Sequence, residues 1–111
     1  MNASTNKARH NVYVIALDPE VTSKKMFQRQ NPEYQPGREC LYVGMTGRSP
    51  ELRFEQHKAG YKASRSVKKF GLRLCPKLFA HLNPMTHDAA CEREVTLAES
   101  LRKIGYGVVQ N

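Results

Sequence analysis

A small α+β domain, an antiparallel β-sheet flanked by helices, is the fold class that this sequence predicts. Three observations carry the prediction. The first half of the chain holds two runs rich in β-branched and aromatic residues, NVYVIAL at 11–17 and CLYV at 40–43. The second half holds matched helix starts and stops: Ser49-Pro50-Glu51 before Gly60, Ser64 before Gly71, and Thr86 with Asp88 before Gly105. The length, 111 residues, is that of one domain with a modest core.

Taken in order, residues 1–10, MNASTNKARH, are polar and read as a flexible N-terminal arm ahead of a single domain over 11–111. NVYVIAL is the first strand. Residues 18–39 form a long connection with Pro19, Pro32, Pro36 and Gly37, in which Asp18-Pro19-Glu20 can cap a short helix through Phe27. A wholly structureless loop of that length would be unusual in a compact domain. CLYV is the second strand, expected to pair antiparallel with the first, to break at Gly44 and to turn through Thr46-Gly47. The next helix starts with a serine N-cap, a proline at its first position and an acid in its first turn, and stops at Gly60. Ser64 to Phe70 suits a short helix closed by Gly71. KLFAHL at 77–82 reads as a third strand, with helix as the alternative. Thr86 begins the long helix, Arg102 and Lys103 suit its last turn, and YGVVQ is a short terminal strand or an extended tail.

The net charge of +8 and a pI near 9.7 point to a polyanionic partner, nucleic acid first. A merely basic surface is the simpler account. Distribution favours the partner: Lys58, Lys62, Arg65, Lys68, Lys69 and Arg73 fall in one segment with no acidic residue among them. No apolar run approaches a membrane span, and the N-terminus lacks the apolar segment of a signal peptide. No membrane partner and a cytoplasmic or nucleoid-associated location are therefore expected. Cys40, Cys75 and Cys91, odd in number and without a CxxC pair, suggest a reducing compartment and buried thiols.

Several residues carry candidate chemistry. The long helix has an apolar stripe of Ala90, Cys91, Leu97, Ala98, Leu101 and Ile104, and Glu94 falls on it. An inward carboxylate must be paired, protonated or metal-bound, and a half-exposed glutamate at the stripe edge fits the pattern equally well. Arg53 and His57, four apart, project from one helix face. The arginine could clamp phosphate oxygens and the histidine could donate a hydrogen bond or move a proton; a partnerless surface pair is the alternative. Tyr13 and Tyr42 are ordinary strand formers, or two phenols able to position water or a phosphate. His87 and Cys91, with Cys75 or His81, offer a zinc alternative without a closed four-ligand spacing.

Tyr13, Tyr42-Val43-Gly44, Arg53, His57 and Glu94 occur in an order that resembles the GIY-YIG nuclease superfamily. The first signature triplet is Asn11-Val12-Tyr13 here, with asparagine in place of glycine, and the second is Tyr42-Val43-Gly44. The 18–39 connection is longer than the family's usual hairpin. The resemblance covers about residues 11–110. It implies hydrolysis of phosphodiester bonds with one divalent cation, Mg²⁺ or Mn²⁺, on Glu94. It further implies Tyr13 as general base, its pKa lowered by Arg53 and the metal. His57 would carry the proton away, Tyr42 would orient phosphate or water, and Gly44 would let the chain turn tightly at the site. In some members a C-terminal asparagine assists; Asn111 is the nearby candidate and a poor match. DNA is the expected substrate. The alternatives are a nucleic-acid-binding module without turnover, or a nuclease subunit of a larger repair or mobile-element assembly whose protein partner supplies target choice.

If the basic segment contacts phosphate, replacing Lys62, Arg65, Lys68 and Lys69 with alanine weakens nucleic-acid binding and flattens its salt dependence, since fewer counterions are released. Binding titrated at several salt concentrations checks this; an unchanged slope removes the segment from the interface.

Overall fold

The computed structural model describes residues 7–110, and the α+β class is what it holds. β1 (Asn11–Leu17) and β2 (Cys40–Thr46) pair antiparallel, from Asn11 opposite Thr46 to Leu17 opposite Cys40. Both are buried almost throughout, as central strands covered on two faces must be, which is why they read as continuous apolar runs. β3 (Gly71–Leu74) adds antiparallel to the outer side of β1, and β4 (Gly107–Val109) adds to β2, giving the order β3-β1-β2-β4.

Four helices complete the fold: α1 (Lys25–Gln30), α2 (Pro50–Ala59), α3 (Arg65–Phe70) and α4 (His87–Ile104). Their starts follow the expected caps. The hydroxyls of Ser49, Ser64 and Thr86 accept from the amides of Leu52, Val67 and Ala89. Gly60 ends α2 in the left-handed region at φ +89. Gly71 closes α3 for a different reason. Its backbone is extended, and a Cβ there would lie 2.5 Å from the Val67 carbonyl oxygen.

The structure corrects several expectations. The sheet is mixed, because β4 runs parallel to β2; the chain reaches β4 only after the long α4, the kind of crossover that parallel neighbours need. β2 does not break at Gly44 but continues to Thr46. Residues 77–82 are not a strand: two 3₁₀ turns, Pro76–Leu78 and Ala80–Leu82, occupy that stretch. Cys75 donates the last ladder bond, to the Val14 carbonyl, and Pro76 has no N–H with which to continue. The third strand is instead the preceding GLRL, an edge strand with Leu72 and Arg73 exposed. The helix expected from Asp18 through Phe27 is split: Asp18 caps a 3₁₀ turn over Pro19–Ser23, Lys24 is extended, and α1 runs on to Gln30. His10, expected in the arm, is tied to the fold: it and Met85 exchange two backbone bonds of 2.8 Å. On α4, Ala90, Ala98 and Leu101 are buried, but Cys91 and Ile104 face solvent, so the stripe is narrower than read and one thiol is exposed. No helix among the described residues is long and apolar enough to cross a membrane.

Carboxamide side chains close both edges of the sheet. Asn83 accepts from the Val12 amide and donates to the Val12 carbonyl, at 2.9 and 2.8 Å, beyond the end of β3. At the far edge Asn31 does the same for Val108, at 2.7 and 2.9 Å, and Gln30 for Gln110, at 2.8 Å each way. Val108 in β4 and Gln110 just past its end thus find amide partners as if another strand lay alongside. Asn31 also donates to the Phe27 carbonyl and accepts from Arg102 Nε. The 18–39 connection is therefore built into the sheet edge. Asn31→Leu leaves the buried Val108 amide and the Arg102 Nε without their acceptor and lowers stability by about 2–4 kcal/mol. Urea unfolding reads this as a lower midpoint at unchanged slope; a parent-like midpoint contradicts the edge assignment.

Candidate active site

Cross-strand register brings the two tyrosines together. Tyr13 stands opposite Gly44, and Ile15 opposite Tyr42, so both phenols leave the sheet on one face. Their rings lie 6.1 Å apart. Gly44 is required by close approach rather than by a turn: a Cβ there would sit 2.6 Å from the Tyr13 hydroxyl and 2.9 Å from the Tyr42 ring. Glycine in mid-strand is what lets the Tyr13 ring lie across β2.

The Ser49 cap fixes where α2 begins, and with it the direction of Arg53 and His57. His57 is 0 % exposed. Its Nε2 lies 2.8 Å from the Tyr13 hydroxyl, and its Nδ1 accepts from the Ser64 amide at 3.1 Å. Burial, followed by the Arg53 charge, pulls its pKa down to about 4, so the ring is neutral near pH 7. With Nδ1 accepting, the hydrogen-bond network assigns the proton to Nε2, which donates to the Tyr13 oxygen. Tyr13 in turn is hydrogen-bonded to Tyr42, which also bonds the Ser64 side chain. The result is a chain of hydrogen bonds from imidazole to phenol to phenol, in which the imidazole donates to Tyr13.

Both phenols titrate above their ordinary range. Burial is the main cause; for Tyr13 the neighbouring Tyr42 adds to it, and for Tyr42 the Glu94 charge does. Arg53 pulls both the other way and is outweighed. Arg53 thus acts on Tyr13 in the expected direction, but burial outweighs it and Tyr13 is a neutral phenol near pH 7. The Arg53 guanidinium is also less open than a phosphate clamp. It donates to the carbonyls of Tyr61 at 3.1 Å and Lys62 at 2.8 Å, and more weakly to Gln56 Oε1 at 3.4 Å.

Glu94 reaches the site from α4 and is half-buried. Burial raises its pKa, and a hydrogen bond from Gln110 lowers it in part. Gln110 Nε2 lies 3.3 Å from the Glu94 carbonyl and 3.5 Å from its Oε1. No Lys, Arg or His forms an ion pair with Glu94 among the described residues, where His87 with Asp88 is the pair within 4.0 Å. A carboxylate taken from water without a cationic partner fits a single hard cation that keeps its other positions for water and phosphate. Among the described residues no three His, Cys, Asp or Glu side chains form a group that could hold a metal, so the zinc alternative lacks its ligand set. Cys91 Sγ and His87 Nδ1 are 3.9 Å apart without a third member. Asn111 lies outside the described residues.

The basic residues divide. Lys62, Arg65, Lys68, Lys69 and Arg73 are exposed. Lys58 instead donates to the Lys68 carbonyl at 3.1 Å and the Gly71 carbonyl at 2.9 Å, holding the end of α3. Some contributors were not legible as site residues in advance. Ser64 looked like a helix cap only, and its amide fixes the His57 tautomer. Gln110 carries no motif. Asn11, the departure from the first triplet, donates to the Arg48 carbonyl at 2.9 Å and pins the turn after β2. No protein-family model, no curated protein and no solved structure matches the chain.

The depressed His57 pKa has a stability consequence. The unfolded histidine, near 6.5, binds a proton that the folded one refuses until about pH 4. Stability is thus fully present above about pH 6.5 and falls as pH drops toward 4, by about 3 kcal/mol in all. His57→Phe removes this slope. Urea midpoints at pH 7 and pH 5 for both chains check it; equal pH sensitivity would show that His57 is not the titrating group.

Proposed function

We propose that the chain is a divalent-metal-dependent endonuclease of the GIY-YIG type that hydrolyses phosphodiester bonds in nucleic acid, with DNA as the expected substrate. One observation carries the reading. Residues from four separate elements, Tyr13, Tyr42, the Arg53/His57 pair and Glu94, converge on one place, and the carboxylate there has no cation of the chain's own. A scaffold that only bound polyanions would gain nothing from a desolvated carboxylate beside its phosphates.

Each residue then has a role that its contacts support. Glu94, steadied by Gln110, would hold Mg²⁺ or Mn²⁺, and such a cation would supply positive charge and lower the pKa of nearby water and phenol. With the cation bound, Tyr13 would first give up its own proton to solvent and, as phenolate, take the proton of the attacking water. His57 Nε2–H already points at the Tyr13 oxygen and stabilises the anion that forms there. Arg53 favours the same anion electrostatically and faces the charge that builds on the phosphate. Tyr42 orients the phosphate or the water.

The use of the Arg53 fork by backbone carbonyls favours a second reading, a binding module without turnover in which Arg53 is structural. Glu94→Gln separates the two. On the nuclease reading it keeps melting temperature and nucleic-acid affinity near the parent's and lowers cleavage by roughly a thousandfold or more, about 4 kcal/mol of transition-state stabilisation. Parent-level cleavage by the variant defeats the metal assignment.

A further inference from the structure

Beside the tyrosine–histidine cluster lies a concave site of about 420 Å³ bounded by Arg48, Arg53, Gln56, Tyr61 and Lys62 together with the end of β2. It has three cations and no acidic residue. Its outer wall is a built feature. Gly60 turns the chain in the left-handed region, the Tyr61 amide donates to the Gln56 carbonyl at 2.9 Å, and Lys62 follows at φ +45. Both carbonyls of the Tyr61-Lys62 step are held by the Arg53 guanidinium. On the opposite wall Arg48 is fixed through its backbone, its amide bonded to Thr46 Oγ1 at 3.0 Å and its carbonyl to Asn11.

What these anchors hold up is an aromatic ring in water. Tyr61 is 56 % exposed, and the Lys62 ammonium lies 5.7 Å from its ring centroid. An exposed ring on a clamped backbone, ringed by cations, matches the two demands of a nucleotide: a flat apolar face for the base and positive charge for the phosphates. A base paired inside a duplex offers its edges and backbone but not its face, so the platform fits a base that is out of the stack.

We propose that this site takes one unpaired nucleotide of a nucleic-acid strand, its base against Tyr61 and its flanking phosphates against Arg48 and Lys62. The proposal rests on the nuclease reading of the adjoining cluster and deepens it: the substrate has a single-stranded position next to the scissile phosphate. It also gives the Arg53 fork a purpose, because the residue that faces the phosphate positions the platform for the neighbouring base.

The test uses the full chain in EDTA, so that binding is read without cleavage. Fluorescence anisotropy measures affinity for a DNA duplex with a single-stranded tail and for a blunt duplex of equal charge. The parent is expected to prefer the tailed DNA. Tyr61→Ala should reduce that preference roughly five- to a hundredfold, the range for loss of one stacked base, while Tyr61→Phe keeps it. Circular dichroism melting verifies that the variants fold. No preference in the parent, equal loss on both DNAs, or failure of the phenylalanine variant overturns the proposal. So does displacement of the tailed DNA by an equal concentration of a nucleoside monophosphate, which would make the ligand a free nucleotide. If the tail preference holds and the parent cleaves nothing when metal is restored, the nuclease reading fails and the nucleotide site stands.

Discussion

The hydrogen bond between His57 Nε2 and the Tyr13 hydroxyl, 2.8 Å long and sealed from solvent, is the contact around which the rest of the site is arranged. It needs a strand residue to meet a helix residue 44 positions later in the protein interior. Gly44 yields the space for the ring, the Ser49 cap sets the helix phase, and the Ser64 amide fixes which imidazole nitrogen carries the proton. A buried polar pair of this kind is costly unless every member is satisfied. Here each group has its partner, and the imidazole donates to the phenol. The burial that keeps the imidazole neutral also keeps the phenols protonated, so the resting site stores no charge on its proton carriers. Charge enters from the rim, through Arg53 on one side and Glu94 on the other.

The long connection between the first two strands supports this arrangement from a distance. Its amide side chains complete the open edge of β4 and hold Gln110, the residue that follows it. Gln30 holds the Gln110 backbone while the Gln110 side chain reaches Glu94. A segment that reads as a decoration of the hairpin therefore ties the strand edge to the candidate metal ligand. The same logic recurs beside the candidate site, where Arg53 faces the cluster and also clamps the loop that presents Tyr61. In a chain of 111 residues few side chains can be spared for a single purpose.

Much of this was readable from local chemistry. Helix caps at Ser49, Ser64 and Thr86 act through bonds to residues three positions away, so a short window holds all the information. The central strands were visible because burial on both faces forces continuous apolar runs. What escaped was non-local. GLRL carries no apolar run that marks a strand because this edge strand keeps Leu72 and Arg73 in water, and KLFAHL looks like a strand until the missing N–H of Pro76 is weighed. The parallel pairing of β4 depends on where α4 delivers the chain. Likewise the candidate residues were legible one by one, yet the hydrogen-bonded chain, the engagement of Arg53 by two carbonyls and the reach of Gln110 to Glu94 exist only after folding.

The account stands on the claim that this cluster hydrolyses phosphodiester bonds with a cation on Glu94. Its most direct test is cleavage by the purified parent chain on duplex, branched and single-stranded DNA, in Mg²⁺ or Mn²⁺ and in EDTA. The account predicts cut strands with metal, none with EDTA, and recovery when the metal is returned. Intact strands on every substrate with either metal would contradict it.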